Sequence, residues 1–111
     1  RVFARALATA GAKVVCADID INIAQEAARA ITSAGGDALA LQVDVADEAS
    51  VAKLMADINN HYGPLDILVN NAGIATPPLR LHEMPVADWD RLHRVNTRGV
   101  FLCTRAALPF M

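Results

Sequence analysis

The sequence predicts an α/β fold, a doubly wound parallel sheet with helices on both faces. Three observations lead there. Helix-period and strand-like segments alternate along the whole chain, which is the order of repeated strand–helix–strand units. The strand-like segments are short, continuous apolar runs, as strands covered on both faces read. Glycine closes each early helical segment before the next strand, at Gly11, Gly35-Gly36 and Gly63-Pro64.

The elements follow in order. Residues 1–10 form a helix with Val2, Phe3, Ala6 and Leu7 near one face, ended by Gly11. No Ser, Thr, Asp or Asn stands ahead of it as an N-cap, so upstream sequence is expected. Residues 13–17 are the first strand. Asp18 to Asp20 leads into a helix over about residues 23–34. Residues 38–43 are the second strand. Asp47 caps a helix that runs to Tyr62 and carries Val51, Leu54, Met55 and Ile58 on one face. Residues 66–69 are a third strand. A loop with three prolines spans residues 71–85, and a long helix spans about residues 87–108, with Trp89 and Leu92 packing it to the sheet. No repeat, low-complexity tract or domain linker interrupts the pattern.

Composition narrows the function classes. The 111 residues suffice for one small domain, and 54% hydrophobic with 20% charged residues is a globular balance, not a disordered one. A net charge of −2 without a Lys/Arg run argues against nucleic acid or an anionic membrane as partner. No apolar run is long enough to span a bilayer, and no signal-peptide pattern is present. Cys16 and Cys103 are far apart with no CxxC spacing, which reads as two apolar fillers in a reducing cytoplasm. His61, His82 and His93 show no metal-ligand spacing, so no metal is expected.

Ligands of open α/β sheets bind just outside the carboxyl ends of the strands, and three such ends carry polar residues here. Asp18, followed by Ile19, either accepts hydrogen bonds from the two hydroxyls of a ribose or serves as a cap for the next helix. Asp44 either accepts from an exocyclic amine such as adenine N6, with Val45 against the ring face, or makes an Asp turn. Asn70-Asn71-Ala72-Gly73 offers two amides and two residues without bulk, or is an Asn-rich turn. A fourth feature lies in the long helix. Asn96 and Gly99 are both poor helix formers in mid-helix, which implies either a local functional reason or an exposed Asn. Arg91, Arg94, Arg98 and Arg105 read as a solvated or subunit-facing surface.

Four segments together resemble one family. They are Gly11-Ala12-Lys13-Val14-Val15 with Asp18, then Asp44-Val45, then Asp66-Ile67-Leu68-Val69-Asn70-Asn71-Ala72-Gly73, then Val95-Asn96-Thr97-Arg98-Gly99-Val100-Phe101. In this order and spacing the chain resembles the classical short-chain dehydrogenases/reductases from end to end. The resemblance implies a Rossmann-like fold and an oxidoreductase that moves a hydride between NAD(H) and an alcohol or ketone. It implies that Asp18 binds the adenosine ribose with Ile19 beside it, that Asp44-Val45 contacts adenine, and that Asn71, Ala72 and Gly73 line the cofactor, Asn71 nearest. It assigns Asn96 to a catalytic tetrad of Asn, Ser, Tyr and Lys, where it distorts the long helix and holds a water that links to the Lys. The loop holding His82 is where such proteins often place substrate-pocket residues.

The family's Gly-rich loop and its Ser and Tyr-x-x-x-Lys segment are not in these residues. Tyr62 is no substitute, since position 66 is Asp. The chain therefore reads as part of one NAD(P)-binding domain, truncated at both ends, of a protein longer by roughly 20 residues upstream and on the order of 100 or more downstream. Without the central first strand, the three strands are not expected to close into one sheet. The acidic Asp18 with no basic neighbour favours NAD over NADP. The parent is expected to be a dimer or tetramer acting on a small molecule. The competing readings are a non-catalytic dinucleotide-binding scaffold and an extended-type sugar-nucleotide epimerase or dehydratase.

Overall fold

A computed structural model describes residues 2–111, so Arg1, the first residue expected in the opening helix, lies outside the described residues. Its centre is a pair of parallel strands, β1 (Val14–Asp18) and β2 (Ala38–Gln42), in register from Val14 opposite Ala38 to Asp18 opposite Gln42. Around them stand α1 (Val2–Thr9), α2 (Ile21–Thr32), α3 (Glu48–Tyr62), α4 (Val86–His93) and α5 (Gly99–Ala107).

Side chains alternate across a strand, and here the two sets meet different helices. Val14, Cys16, Ala38 and Ala40 pack with Ala28 and Ile31 of α2 and with Ala4, Leu7 and Ala8 of α1. Val15 and Leu41 join Val51, Leu54, Met55 and Ile58 of α3 and Leu102, Cys103 and Ala107 of α5. Helices thus cover both faces of the sheet, as the uninterrupted apolar runs predicted.

Local chemistry sets the element ends. α2 begins two residues earlier than expected because Asp20, not a later residue, is its N-cap; the carboxylate accepts from Asn22 N at 2.9 Å. Asp47 caps α3 as expected, accepting from the amides of Ala49 and Ser50. Gly11, Gly35 and Gly63 all take positive φ, the left-handed turn that ends a helix at little cost only for glycine.

Several expectations are corrected. Of Val2, Phe3, Ala6 and Leu7, expected near one face of α1, Leu7 packs inward, together with Ala4 and Ala8, while Val2, Phe3 and Ala6 are exposed. Small residues suit the close approach there, since a Cβ on Gly36 would lie 3.5 Å from Ala8 Cβ. Trp89 does not pack the long helix to the sheet. It is half exposed, and its ring lies against His93, with centroids 4.3 Å apart. Residues 66–69 form no strand. Among the described residues the sheet has two strands, and the extended segment after Leu65 finds no ladder partner. A strand needs a neighbour to satisfy its amides, and this segment is anchored otherwise. Leu65 N donates to Phe110 O at 2.9 Å, and Leu65 and Leu68 pack onto the α3–α5 cluster, while Ile67 and Val69 stay exposed. The three predicted strands do not close into one sheet, as expected from the sequence.

The predicted long helix is broken by a π-helical turn, Arg94–Arg98, between α4 and α5. Among the described residues no helix is long and apolar enough to cross a membrane.

Candidate functional site

Parallel pairing brings the ends of β1 and β2 to one edge. Asp18 O accepts from Val43 N at 2.9 Å, so the chain leaving β2 is held beside the end of β1. Asp18 is half-buried. Its Oδ1 accepts from Asp20 N at 3.0 Å, which shapes the turn into α2, while Asp20 does the capping. Among the described residues Asp18 Oδ2 has no hydrogen-bond partner. Ile19 is 64% exposed next to it, and its carbonyl accepts from Gln42 Nε2 at 2.9 Å.

Asp44 makes the turn that the sequence offered as one of its two readings. Oδ1 accepts from Ala46 N at 2.9 Å, the carbonyl accepts from Asp47 N at 3.1 Å, and the amide donates to Ser50 Oγ at 3.0 Å. Val45 is half-buried against the α3–α5 cluster and lines a shallow cleft with Asn70, Ala72, Val95, Gly99, Val100 and Cys103. Two of the three candidate strand-end segments therefore meet across α5.

The two adjacent amides divide their work. Asn70 Nδ2 donates to Thr104 Oγ1 on α5 at 3.2 Å. The Asn71 side chain, exposed, makes no hydrogen bond among the described residues. Ala72 and Gly73 are exposed as well. A Cβ added to Gly73 would meet Asn96 Oδ1 at 3.4 Å, an ordinary contact, so packing within the chain does not demand glycine there.

Asn96 stands in the middle of the π-helical turn. That turn is closed by Gly99 N donating to Arg94 O, five residues back, so it is one residue wider than an α turn. From it the Asn96 amide grips one residue at both backbone groups. Ile74 N donates to Asn96 Oδ1 at 2.8 Å, and Asn96 Nδ2 donates to Ile74 O at 2.9 Å. A side-chain amide carries the same donor and acceptor as a peptide group, so Asn96 stands in for the strand neighbour that this segment lacks. The turn 70–73 is therefore pinned on both sides, at Asn70 by Thr104 and just past Gly73 by Asn96.

Gly99 is buried for a different reason. A Cβ there would fall 2.9 Å from Val45 Cγ2 and 3.4 Å from Val45 O. Glycine lets α5 close onto residue 45. Sequence reasoning flagged Gly99 as a poor helix former without naming Val45, and it missed Ile74 and Thr104 altogether. Arg91, Arg94, Arg98 and Arg105 are exposed, as expected, and three of them also hold partners within the chain. Arg98 is not merely a solvated surface residue: its Nη1 donates to Ala46 O at 2.7 Å. Arg105 Nη1 lies 3.2 Å from Glu48 Oε1 at the start of α3. Arg91 pairs locally with Asp88 at 3.5 Å.

The remaining candidates lie apart. His82 is exposed on a short 3₁₀ turn, 3.9 Å from Glu83. Tyr62 donates to Asp37 Oδ1 at 2.6 Å; partial burial and then that carboxylate push its hydroxyl up to about 12. Asp37 directly precedes β2, at the end opposite Gln42 and the candidate site. Cys16 and Cys103 are buried free thiols, both pushed up by burial.

Comparison with known proteins places this geometry. A family model described as short chain dehydrogenase matches residues 1–111. The chain is 47% identical over 108 residues to cis-4-hydroxycyclohexanecarboxylate dehydrogenase of Sinomonas cyclohexanicum, covering 97% of this chain and 43% of that protein. It is 44% identical over 108 residues to inactive 2-(S)-hydroxypropyl-CoM dehydrogenase 2 of Xanthobacter autotrophicus, covering 97% of this chain and 45% of that protein. A metagenomic short-chain oxidoreductase, solved in complex with NADP, superposes with a TM-score of 0.90 at 35% identity, over 97% of this chain and 49% of that one. The chain spans less than half the length of the curated relatives it matches.

Proposed function

The chain belongs to the short-chain dehydrogenase family, and on that premise we propose that its whole protein is an oxidoreductase that moves a hydride between NAD(H) and the carbon of an alcohol or ketone. Residues 1–111 form part of its one dinucleotide-binding domain.

The observation that carries this reading is the division of polar atoms along the strand-end edge. Asp18 Oδ1, Asp44 Oδ1 and Asn70 Nδ2 are tied to the chain itself. Among the described residues, Asp18 Oδ2 and the Asn71 amide are left over, beside exposed Ile19, Ala72 and Gly73. Exposed free polar atoms next to residues without bulk fit a ligand rich in hydroxyl and amide groups. A nicotinamide dinucleotide meets that description. Asp18 would hold the adenosine ribose, with Ile19 beside it. Asp44 and Val45 would meet adenine, and Asn71, Ala72 and Gly73 would line the middle of the cofactor.

When bound, the dinucleotide supplies the hydride chemistry. This chain supplies position. Asn96 fixes Ile74 and so holds the turn 70–73 at the edge. Its amide makes two of the four hydrogen bonds open to it, both to Ile74, which leaves one donor and one acceptor position for a water that helps carry the proton. Asn96 also sits at the middle of the widened turn that presents it to this edge. The two buried free thiols fit a reducing compartment, the cytoplasm. A dimer or tetramer of the whole protein fits the family.

NAD is the preferred cofactor in this reading, since a 2′-phosphate would meet the Asp18 carboxylate, and neither Ala17 nor Ile19 beside it in sequence is basic. The test compares catalytic efficiency with NADH and NADPH in the full-length protein, before and after Asp18→Asn. The expected result is a preference for NADH that narrows by roughly tenfold or more in the variant, the loss of one charge repulsion and one charged hydrogen bond. Equal or better efficiency with NADPH in the unchanged protein refutes the preference. The competing reading is a non-catalytic dinucleotide-binding scaffold, which the dehydrogenase and reductase relatives do not favour. Tight NAD binding without turnover on any of a panel of alcohols and ketones would decide for it.

A further inference from the structure

We propose that Arg98 is a positioning residue that sets the loop between β2 and α3 for the adenine end of the cofactor; this rests on the reading that Asp44 and Val45 meet adenine. The loop's internal bonds are all local. Asp44 Oδ1 to Ala46 N, Asp44 O to Asp47 N and Asp44 N to Ser50 Oγ fold it on itself and onto the first turn of α3. They fix its shape and not its place relative to the turn 70–73 across the cleft.

Two contacts from the π-helical turn and its exit do fix that place. Gly99 lets the helix backbone come up to Val45, where a Cβ would fall 2.9 Å from Cγ2. Arg98 reaches across 52 residues of sequence to donate to Ala46 O at 2.7 Å. The first contact is apolar and permits sliding. The second is a charge-assisted hydrogen bond from a planar donor to one carbonyl, and it resists sliding.

Arg98 is two residues from Asn96 in the same widened turn. One short element therefore grips the turn 70–74 through Asn96 and the loop 44–46 through Arg98. Their separation is then set by a single piece of helix. Loss of Arg98 should loosen the adenine side alone, so the effect should fall on cofactor binding and not on turnover at saturating cofactor. The Arg105–Glu48 pair also bridges α5 to α3, but it is exposed on both sides and should matter little.

The test uses the full-length protein with Arg98→Met, Arg98→Lys, Asp44→Ala and, as a control, Arg105→Met. ADP-ribose is the probe for the adenosine half, and hydrogen exchange reports on the peptide covering residues 43–48. Arg98→Met is expected to raise the Kd for ADP-ribose and the KM for NAD by roughly three- to tenfold, as for one hydrogen bond to a charged group at an exposed site. It should leave kcat within about twofold and speed exchange in 43–48, since the lost bond lies outside the reacting centre. Arg98→Lys should recover part of the affinity, and Arg105→Met should change neither.

Unchanged affinity and exchange in Arg98→Met, with weakened binding in Asp44→Ala, would overturn the role of Arg98 and leave the adenine reading standing. Faster exchange with unchanged affinity in both Arg98→Met and Asp44→Ala would overturn the adenine reading and the proposal with it. An equal loss in kcat and KM without recovery in Arg98→Lys would mark Arg98 as merely structural. Should Arg98→Met fail to fold, Arg98→Gln decides by the same criteria.

Discussion

Replacing Asn96 with Asp tests the two-sided grip on Ile74. The side chain keeps its size and keeps one oxygen to accept from Ile74 N, a bond of 2.8 Å. The other terminal atom changes from a donor to a carboxylate oxygen, 2.9 Å from where the Ile74 carbonyl now accepts. Asn96→Ala loses both bonds, each worth about 0.5–1.5 kcal/mol net, and regains about 0.5 kcal/mol in helix propensity, a loss of about 0.5–2.5 kcal/mol. Asn96→Asp loses one bond and gains an oxygen–oxygen repulsion, softened because Asn96 is exposed. The carboxylate cannot turn away without releasing Ile74 N as well. Its loss at neutral pH should match or exceed that of Ala, about 1–3 kcal/mol, or a fall in Tm on the order of 3–9 °C in a protein of roughly 250 residues. The pH dependence has a definite sign. Facing a carbonyl raises the folded-state pKa of the new carboxyl above its unfolded value, and the protonated form can donate to Ile74 O. The deficit against the unchanged protein should therefore shrink as pH falls from 7 toward about 4. Thermal melts of all three proteins across that range measure it. Asn96→Asp as stable as the unchanged protein at pH 7, or a deficit that grows toward pH 4, would refute the two-sided grip.

Gly99→Ala sets two magnitudes against each other. Ala is better in a helix by about 1 kcal/mol, but its Cβ would enter at 2.9 Å from Val45 Cγ2 with the Val45 carbonyl behind it, an overpacking of about 1–3 kcal/mol. A lowered Tm and weaker ADP-ribose binding are expected; a raised Tm would show that residue 45 does not press on α5. Tyr62→Phe removes the hydroxyl that donates to Asp37 at 2.6 Å and should cost about 1 kcal/mol at pH 7. Because the folded-state value is raised to about 12, the hydroxyl stabilises fully below about pH 10, the usual tyrosine value, and loses its contribution as pH rises from there. The Tm gap between the two proteins should be flat from pH 7 to 9 and narrow above 10; a gap that widens there would contradict the assignment.

The early half of the fold was legible because its signals are local. Glycine at helix ends, Asp47 as a cap and the Val51–Ile58 stripe each act within a few residues, and the structure keeps all of them. What failed was non-local. Residues 66–69 have strand composition, but composition cannot supply the neighbouring strand that makes a ladder. Val2, Phe3 and Trp89 are apolar and periodic, yet periodicity does not tell which of two adjacent stripes meets a partner. At the site, residue types were readable and partners were not. Two amides at a strand end signal hydrogen bonding, but nothing in Asn70-Asn71 says that the first turns to Thr104 and the second stays free.

The long helix is where local rules were broken, and there the break carried information. Asn96 and Gly99 each weaken a helix, and either alone could be an accident of an exposed surface. The structure gives them separate partners. Asn96 holds Ile74 just past the turn 70–73, and Gly99 admits Val45 just past the end of β2. Both partners lie on the edge where the free polar atoms of Asp18 and Asn71 stand. A helix made only of good formers would run straight through residues 94–98 and touch neither segment. The π-helical turn turns a single rod into a bracket with two arms, and Arg98 adds a third contact on the arm toward residue 46. The two substitutions that would make this helix more regular, at Asn96 and Gly99, would therefore loosen the two loops that it holds. Helix regularity and the geometry of the edge are in direct opposition here, and the sequence sides with the edge.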